Sequence, residues 1–235
     1  MDRLDKTIAN FRGLTRKEAH AAIRGGRVTV NGSLVNDPTA KVEHGRDLVE
    51  LDGVPVCSEK HVYIMMNKPA GVLSASRDPN AQTVVDLLPE HLYRKGLFPA
   101  GRLDKDTVGF VLLTDDGALA HRILAPRSHV PKVYLARLDK PADGEMKRRF
   151  AEGLCLEDGT ECRPAQLDIL EGSFVRITIR EGKYHQIKRM AAACRRTVQW
   201  LKRIRIGGVE LDESLPEGAS RFLTGQEVQQ LRNLL

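Results

Sequence analysis

The segment PAGRLDKDTVGFVLLTDDG, residues 99–117, sets Arg102, Asp104, Lys105 and Asp106 immediately before an apolar run from Val108 to Thr114. The apolar run reads as a buried strand, so the charged residues fall in a loop at the edge of a sheet. A carboxylate placed there is partly withdrawn from water and can serve as a nucleophile or a general base. A charged surface turn is the plainer reading of the same residues. Other reactive groups are poorly arranged. Cys57, Cys155, Cys162 and Cys194 contain no CxxC pair, and the seven histidines show neither HExxH nor HxE with CxxC. That spacing supports no metal site. The thiols read as reduced, small apolar side chains. Neither GxGxxG nor GKT/GKS occurs, and Gly101-Arg102-Leu103-Asp104 is no phosphate loop.

The elements that position these residues can be read from pattern. In a chain of 235 residues with 41% hydrophobic content there is enough apolar material for a real core in one or two domains. Leu4, Ile8 and Phe11 recur at helical spacing and stop at Gly13. Thr15 followed by Glu18 is a capping-box signature for a second helix that runs to Gly25-Gly26. On it Ala19, Ala22 and Ile23 can face inward, while Arg16, Lys17, His20 and Arg24 share a basic face. Val28 to Val30, Asn31-Gly32 and Leu34-Val35 read as a tight hairpin. A strand near residues 48–51 closes this unit around residue 55, and residues 52–61 read as a short linker.

Beyond the linker, strands are expected at residues 62–66, 108–114, 132–138, 165–170, 174–180 and 197–206. Helices are expected at 83–88, 118–124, 143–152, 185–194 and 226–234. Asp115 and Asp116 read as turn and cap residues, and Trp200, the one tryptophan, as core, with a base-stacking platform the other reading. Strands come in neighbouring runs without long helices between them. The fold class is therefore α+β, with a mixed, largely antiparallel sheet flanked by helices, rather than a doubly wound sheet.

The net charge of +6 is unevenly spread. Residues 1–30 carry +4 and residues 176–205 carry +9, so the other 175 residues carry −7. Two basic clusters on an otherwise acidic chain attract polyanions, nucleic acid first among them. No run approaches the roughly 18 apolar residues of a membrane helix, and the N-terminus lacks the apolar core of a signal peptide. A cytoplasmic protein with no membrane association is expected.

The first quarter of the chain, RLDKTIAN through LTRKEAHAAIRGGRVTVNG, resembles the S4-type RNA-binding domain. The resemblance implies a docking unit over residues 1–58, with Arg3, Arg16, Lys17, Arg24 and Arg27 facing an RNA backbone.

The segment GRLDKDTVGFVLLTDDG resembles the central catalytic motif of RNA pseudouridine synthases, in particular the ribosomal small-subunit branch of the RsuA type. The resemblance makes Asp104 the essential aspartate of a catalytic domain over residues 59–235. PKVYLARL is similar to the family's tyrosine motif and places Tyr134 beneath the target base. EGKYHQIKRM is similar to a third motif and places Lys188 beside the aspartate, where sister branches carry arginine. MNKPAG at 66–71 also matches, and Leu201 corresponds to an apolar pocket residue. Arg102 is expected to fill the space of a flipped base or to grip phosphate. Lys183, His185, Gln186 and Arg189 are candidate RNA contacts, with helix-start packing an equal reading for His185 and Gln186. Asp106 and Thr107 flank the aspartate and can orient it.

The implied reaction breaks the N1–C1′ bond of a uridine, turns the base and joins C5 to C1′. Nothing is oxidised or transferred away, so no cofactor is needed. The target nucleotide must leave its stack to be reached. A carboxylate acts best here when ionised, which calls for a neighbouring cation. The resemblance points to 16S ribosomal RNA or a small-subunit assembly intermediate as the partner of a monomeric enzyme. A 23S-modifying sister synthase and a non-catalytic S4-type RNA-binding protein are the alternatives. Intact Asp104, Tyr134 and Lys188 argue against the latter.

Overall fold

The computed structural model describes residues 1–10, 14–43, 46–56, 61–125 and 127–233. Phe11, Gly13, Cys57 and residue 234 lie outside them.

The N-terminal unit runs β1 (Asp2–Arg3), α1 (Leu4–Asn10), α2 (Arg16–Arg24), β2 (Val28–Val30), β3 (Ser33–Leu34), β4 (Lys41–Val42), β5 (Val49–Leu51) and β6 (Val54–Val56). The capping box starts α2. Thr15 Oγ1 accepts from the Glu18 amide at 3.2 Å, and Glu18 Oε2 accepts from the Thr15 amide at 2.7 Å. Ala19, Ala22 and Ile23 are buried against Leu4, Ile8 and Val28, as the 3.6-residue period requires. Asn31 and Gly32 both adopt positive φ, the turn that matches the twist of a two-residue hairpin. Asp52 and Gly53 do the same between β5 and β6. Residues 52–56 of the expected linker thus belong to a hairpin, residues 57–60 lie outside the described residues, and β6 completes a sheet ordered β3-β2-β5-β6.

The larger unit runs β7 (Tyr63–Lys68), β8 (Phe98–Pro99), β9 (Val108–Thr114), α3 (Gly117–Leu124), β10 (Lys132–Leu138), α4 (Gly144–Glu152), β11 (Leu154–Cys155), β12 (Glu161–Cys162), β13 (Gln166–Ile169), β14 (Phe174–Ile179), α5 (Gln186–Ala193), β15 (Val198–Ile206), β16 (Val209–Glu210), β17 (Ser220–Phe222) and α6 (Gly225–Asn233). Nine of its described strands form one mixed sheet ordered β13-β14-β10-β15-β9-β7-β17, with β16 on β15 and β8 on β9, while β11 and β12 pair in a separate two-stranded ribbon. Only the β9–β15 pairing is parallel among them. This is the expected α+β architecture.

The helix expected at 83–88 is absent. Thr83 instead bridges to Leu73, and its amide and hydroxyl both donate to Asp86 Oδ2 at 2.8 Å. Pro89 disfavours helical geometry at residue 88, which leaves too few residues to nucleate a helix.

The sheet is covered unequally. One face packs α4 and α5 through Met146, Phe150, Ile187 and Met190 onto Tyr134, Ala136 and Ile177. Over β7 and β9 the other face packs α3 and α6 through Leu119, Ile123 and Leu231 onto Met65, Phe110 and Leu112. Over β14, β10 and β15 that second face stays open: Phe174, Arg176 and Arg137 are exposed, and Leu135, Trp200 and Lys202 only half-buried.

Candidate active site

Asp104 sits in the loop that enters β9, and the loop is held from three sides. Ser74 Oγ pairs with the backbone amide and carbonyl of Leu103, each at 3.0 Å. The Thr107 amide donates to the Asp104 carbonyl at 3.1 Å. The ammonium of Lys68, fully buried at the end of β7, donates to the carbonyls of Pro69, Lys105 and Thr107 at 3.0, 3.1 and 2.8 Å. Burial pushes the Lys68 amine down to about 8, with neighbouring Arg203 acting the same way and the Asp106 and Asp104 carboxylates opposing it.

The first turn of α5 supplies the facing cation. Lys188 Nζ lies 3.0 Å from Asp104 Oδ2 and 2.6 Å from Asp106 Oδ1. Burial alone would lower the Lys188 pKa, but hydrogen bonds to Asp106 and Asp104 outweigh it and hold the ammonium above its ordinary value. The same bond from Lys188 holds the Asp106 carboxyl below its usual range. His185, left-handed at φ 47°, precedes the helix, with Nε2 3.6 Å from Asp104 Oδ1 and its ring stacked on Tyr184.

Behind the carboxylate a hollow is lined by Arg102, Asp104, Tyr134, Lys183, His185, Gln186, Lys188 and Leu201 among others. Tyr134 comes from the middle of β10 and Leu201 from β15, on the same face of the sheet. The sequence-stretch expected to contact RNA is divided by the structure. Gln186 is 4% exposed, accepting from the Lys183 amide and donating to Glu181, so its amide fastens the turn into α5. Lys183 donates to the Glu161 carbonyl. Arg189 lies outside the lining residues, paired with Asp158 at 2.5 Å.

On the N-terminal unit Arg3, Arg16, Lys17, His20 and Arg24 line one shallow surface around buried Asp5. Burial would raise the Asp5 carboxyl, but hydrogen bonds from Arg3 and His20 prevail and hold it low. Arg27 stands apart, in a two-point pair with Asp52.

Arg203 was not among the expected residues. It is 2% exposed, donates from Nε to the Phe110 carbonyl at 2.7 Å and reaches the Tyr134 hydroxyl at 3.5 Å. Strand alternation from Leu201 signals its inward direction. Asp116 caps α3 by accepting from the Leu119 amide, and Asp115 accepts from Val62, as expected of turn and cap residues.

A lysine clamps the carboxylate at a hollow that Tyr134 lines, and similarity to known proteins runs along almost the whole chain. The family model described as RNA pseudouridylate synthase matches residues 62–193, and that of the S4 domain matches residues 2–48. The chain belongs to the RNA pseudouridine synthase family. It is 44% identical over 230 residues to the uncharacterized RNA pseudouridine synthase YtzG of Bacillus subtilis, covering 96% of each. It is 43% identical over 228 residues to ribosomal small subunit pseudouridine synthase A of Escherichia coli, covering 96% of this chain and 98% of the relative. A crystal structure of a pseudouridylate synthase superposes with a TM-score of 0.69 at 40% identity, over 98% of this chain and all of that one. The synthase acts on RNA, and among the described residues no helix is long and apolar enough to cross a membrane.

Proposed function

We propose that this synthase converts one uridine of 16S ribosomal RNA to pseudouridine, with residues 1–58 docking on the RNA and residues 59–235 performing the reaction. The observation that carries the chemistry is Asp104 held 3.0 Å from Lys188 at the mouth of the hollow ending at Tyr134 and Leu201. Asp104 meets the flipped nucleotide at C1′ as the N1–C1′ bond breaks. The base turns within the hollow, C5 joins C1′, and the proton on C5 is lost while N1 gains one. Lys188 keeps the carboxylate paired with positive charge, and Tyr134 lies where a flipped base can stack and its hydroxyl can assist proton movement. The 16S assignment is supported by the Escherichia coli relative and by the KYHQIKRM motif around Lys188.

Pseudouridine mapping in both ribosomal RNAs of a deletion strain tests this reading. Loss of one 16S site, restored by the wild-type chain and not by Asp104→Asn, is expected. Among the described residues the Asp104 carboxylate is bonded only by Lys188 and approached by His185, so the variant is expected to fold and bind RNA. Loss of a 23S site instead would overturn the substrate. Restoration by Asp104→Asn would overturn the role of the aspartate.

A further inference from the structure

The open half of the sheet lies on the face opposite Asp104. Strand register places its side chains in cross-strand rows. Phe174, Arg137 and Trp200 form one row, and Arg176, Leu135 and Lys202 the next. Thr178, Val133 and Arg205 form a third, where Val133 is buried and the open part ends. Side chains of opposite parity, Tyr134, Ala136, Ile177 and Leu201, point into the core under the active site. The +9 segment at residues 176–205 is therefore split by strand alternation. Lys183 and Lys188 belong to the catalytic side, Arg203 is buried, and Arg176, Lys202 and Arg205 belong to the far side.

Trp200, expected in the core, is half-exposed there, and Phe174 is 42% exposed with its ring edge-on to it at 6.4 Å. The charges around the pair are mostly cationic. Arg205 reaches Glu210 at 4.0 Å, Asp168 stands beside Arg176 in register, and Glu213 lies at the rim. Arg137, Arg176 and Lys202 form no ion pair within 4.0 Å with another described residue. Buried charge compensation does not explain three cations beside two accessible aromatic rings on an open sheet face.

We infer that this open face is a second RNA-binding platform, taking an unpaired stretch of the substrate RNA whose bases stack on Phe174 and Trp200 while its phosphates meet Arg137, Arg176 and Lys202. Aromatic rings interleaved with cations on a β-surface are what unpaired nucleotides require, since every base has a face to stack and every link a negative charge. A paired helix would use the cations and leave the rings idle. The inference rests on RNA as the substrate class and is independent of which uridine is modified.

Trp200 is the only tryptophan, so intrinsic fluorescence reports on this face. A single-stranded oligouridylate of about 12 nucleotides, titrated into the full chain at several salt concentrations, is expected to quench Trp200 to saturation. Arg137→Gln, Arg176→Gln and Lys202→Gln together should weaken binding about tenfold near 50 mM salt and lower the salt slope by about 2, for three single-strand phosphates. Phe174→Ala, changing no charge, should weaken binding and leave the slope unchanged. These side chains are exposed or half-buried, and circular dichroism verifies the fold of each variant. A flat Trp200 signal while a labelled RNA binds, or unchanged affinity and slope in the triple variant, would overturn the inference. So would a Trp200 signal that responds only to protein concentration, which would make the face a contact between copies.

Discussion

Lys188 Nζ stands between two carboxylates, 3.0 Å from Asp104 and 2.6 Å from Asp106. Asp106 is the more exposed of the two and makes the shorter bond, and the ammonium bridges both carboxylates. Lys188→Met should lower the rate by about 10²- to 10³-fold, as loss of one preorganised charge in an active site does. Lys188→Arg keeps the charge and should recover much of it. Proton linkage gives a second readout. The Asp106 carboxyl is held low chiefly by the Lys188 bond, so it favours the fold above its unfolded pKa and loses that contribution as pH falls through the lowered value. In Lys188→Met, an NMR titration should show Asp106 rising toward its ordinary 3.8.

The elements built on periodicity were legible because each is decided by local sequence. The strand at 132–138 and the capping box of Thr15 and Glu18 are examples. Motif resemblance marked Asp104 and Lys188, and the fold brings them together from positions 84 residues apart. What was not legible depends on which face of the sheet is covered. Trp200 is apolar by type, yet among the described residues no helix lies over its part of the sheet. Arg203 is charged by type, yet alternation with Leu201 sends it under Tyr134, where the Phe110 carbonyl receives it. The hairpin at Asp52-Gly53 was hidden because a turn composition serves a linker equally well.

Gly109 should tolerate no side chain. It adopts φ +99° where β9 lies parallel to β15, and a Cβ would stand 2.9 Å from the Arg203 amide nitrogen and closer still to its carbonyl oxygen. Both obstacles are backbone, so neither can rotate away. Gly109→Ala should destabilise the chain by about 2 kcal/mol or more through strain and the lost parallel pairing. Chemical denaturation measures this. Activity should fall too, because the same strand start carries the Asp104 loop.

The basic surface of the N-terminal unit should govern RNA affinity. Arg16, Lys17 and Arg24 line it and form no ion pair within 4.0 Å with another described residue, whereas Arg3 and His20 are both anchored on Asp5. Neutralising the three free cations together should weaken RNA binding and reduce the salt slope by about 2 to 3. An unchanged slope in a filter-binding titration would remove this surface from docking.

Lys132 should make stability depend on pH at the alkaline end. It is 7% exposed, its ammonium donates to the Val130 carbonyl at 3.2 Å, and burial, with Arg203 nearby, pushes its pKa down to about 8. Between about pH 8 and 10.5 the unfolded chain keeps this proton and the folded chain does not, so unfolding takes up a proton and stability rises with pH. Below pH 8 the fold carries the cost of a buried charge. Lys132→Met removes both. The stability of the wild type relative to Lys132→Met should therefore climb on the order of 3 kcal/mol across that window, since the folded value of about 8 lies well below the ordinary 10.5. Urea melts of the two proteins from pH 7 to 10.5 measure the difference. A constant difference would mean that Lys132 keeps an ordinary pKa inside the fold.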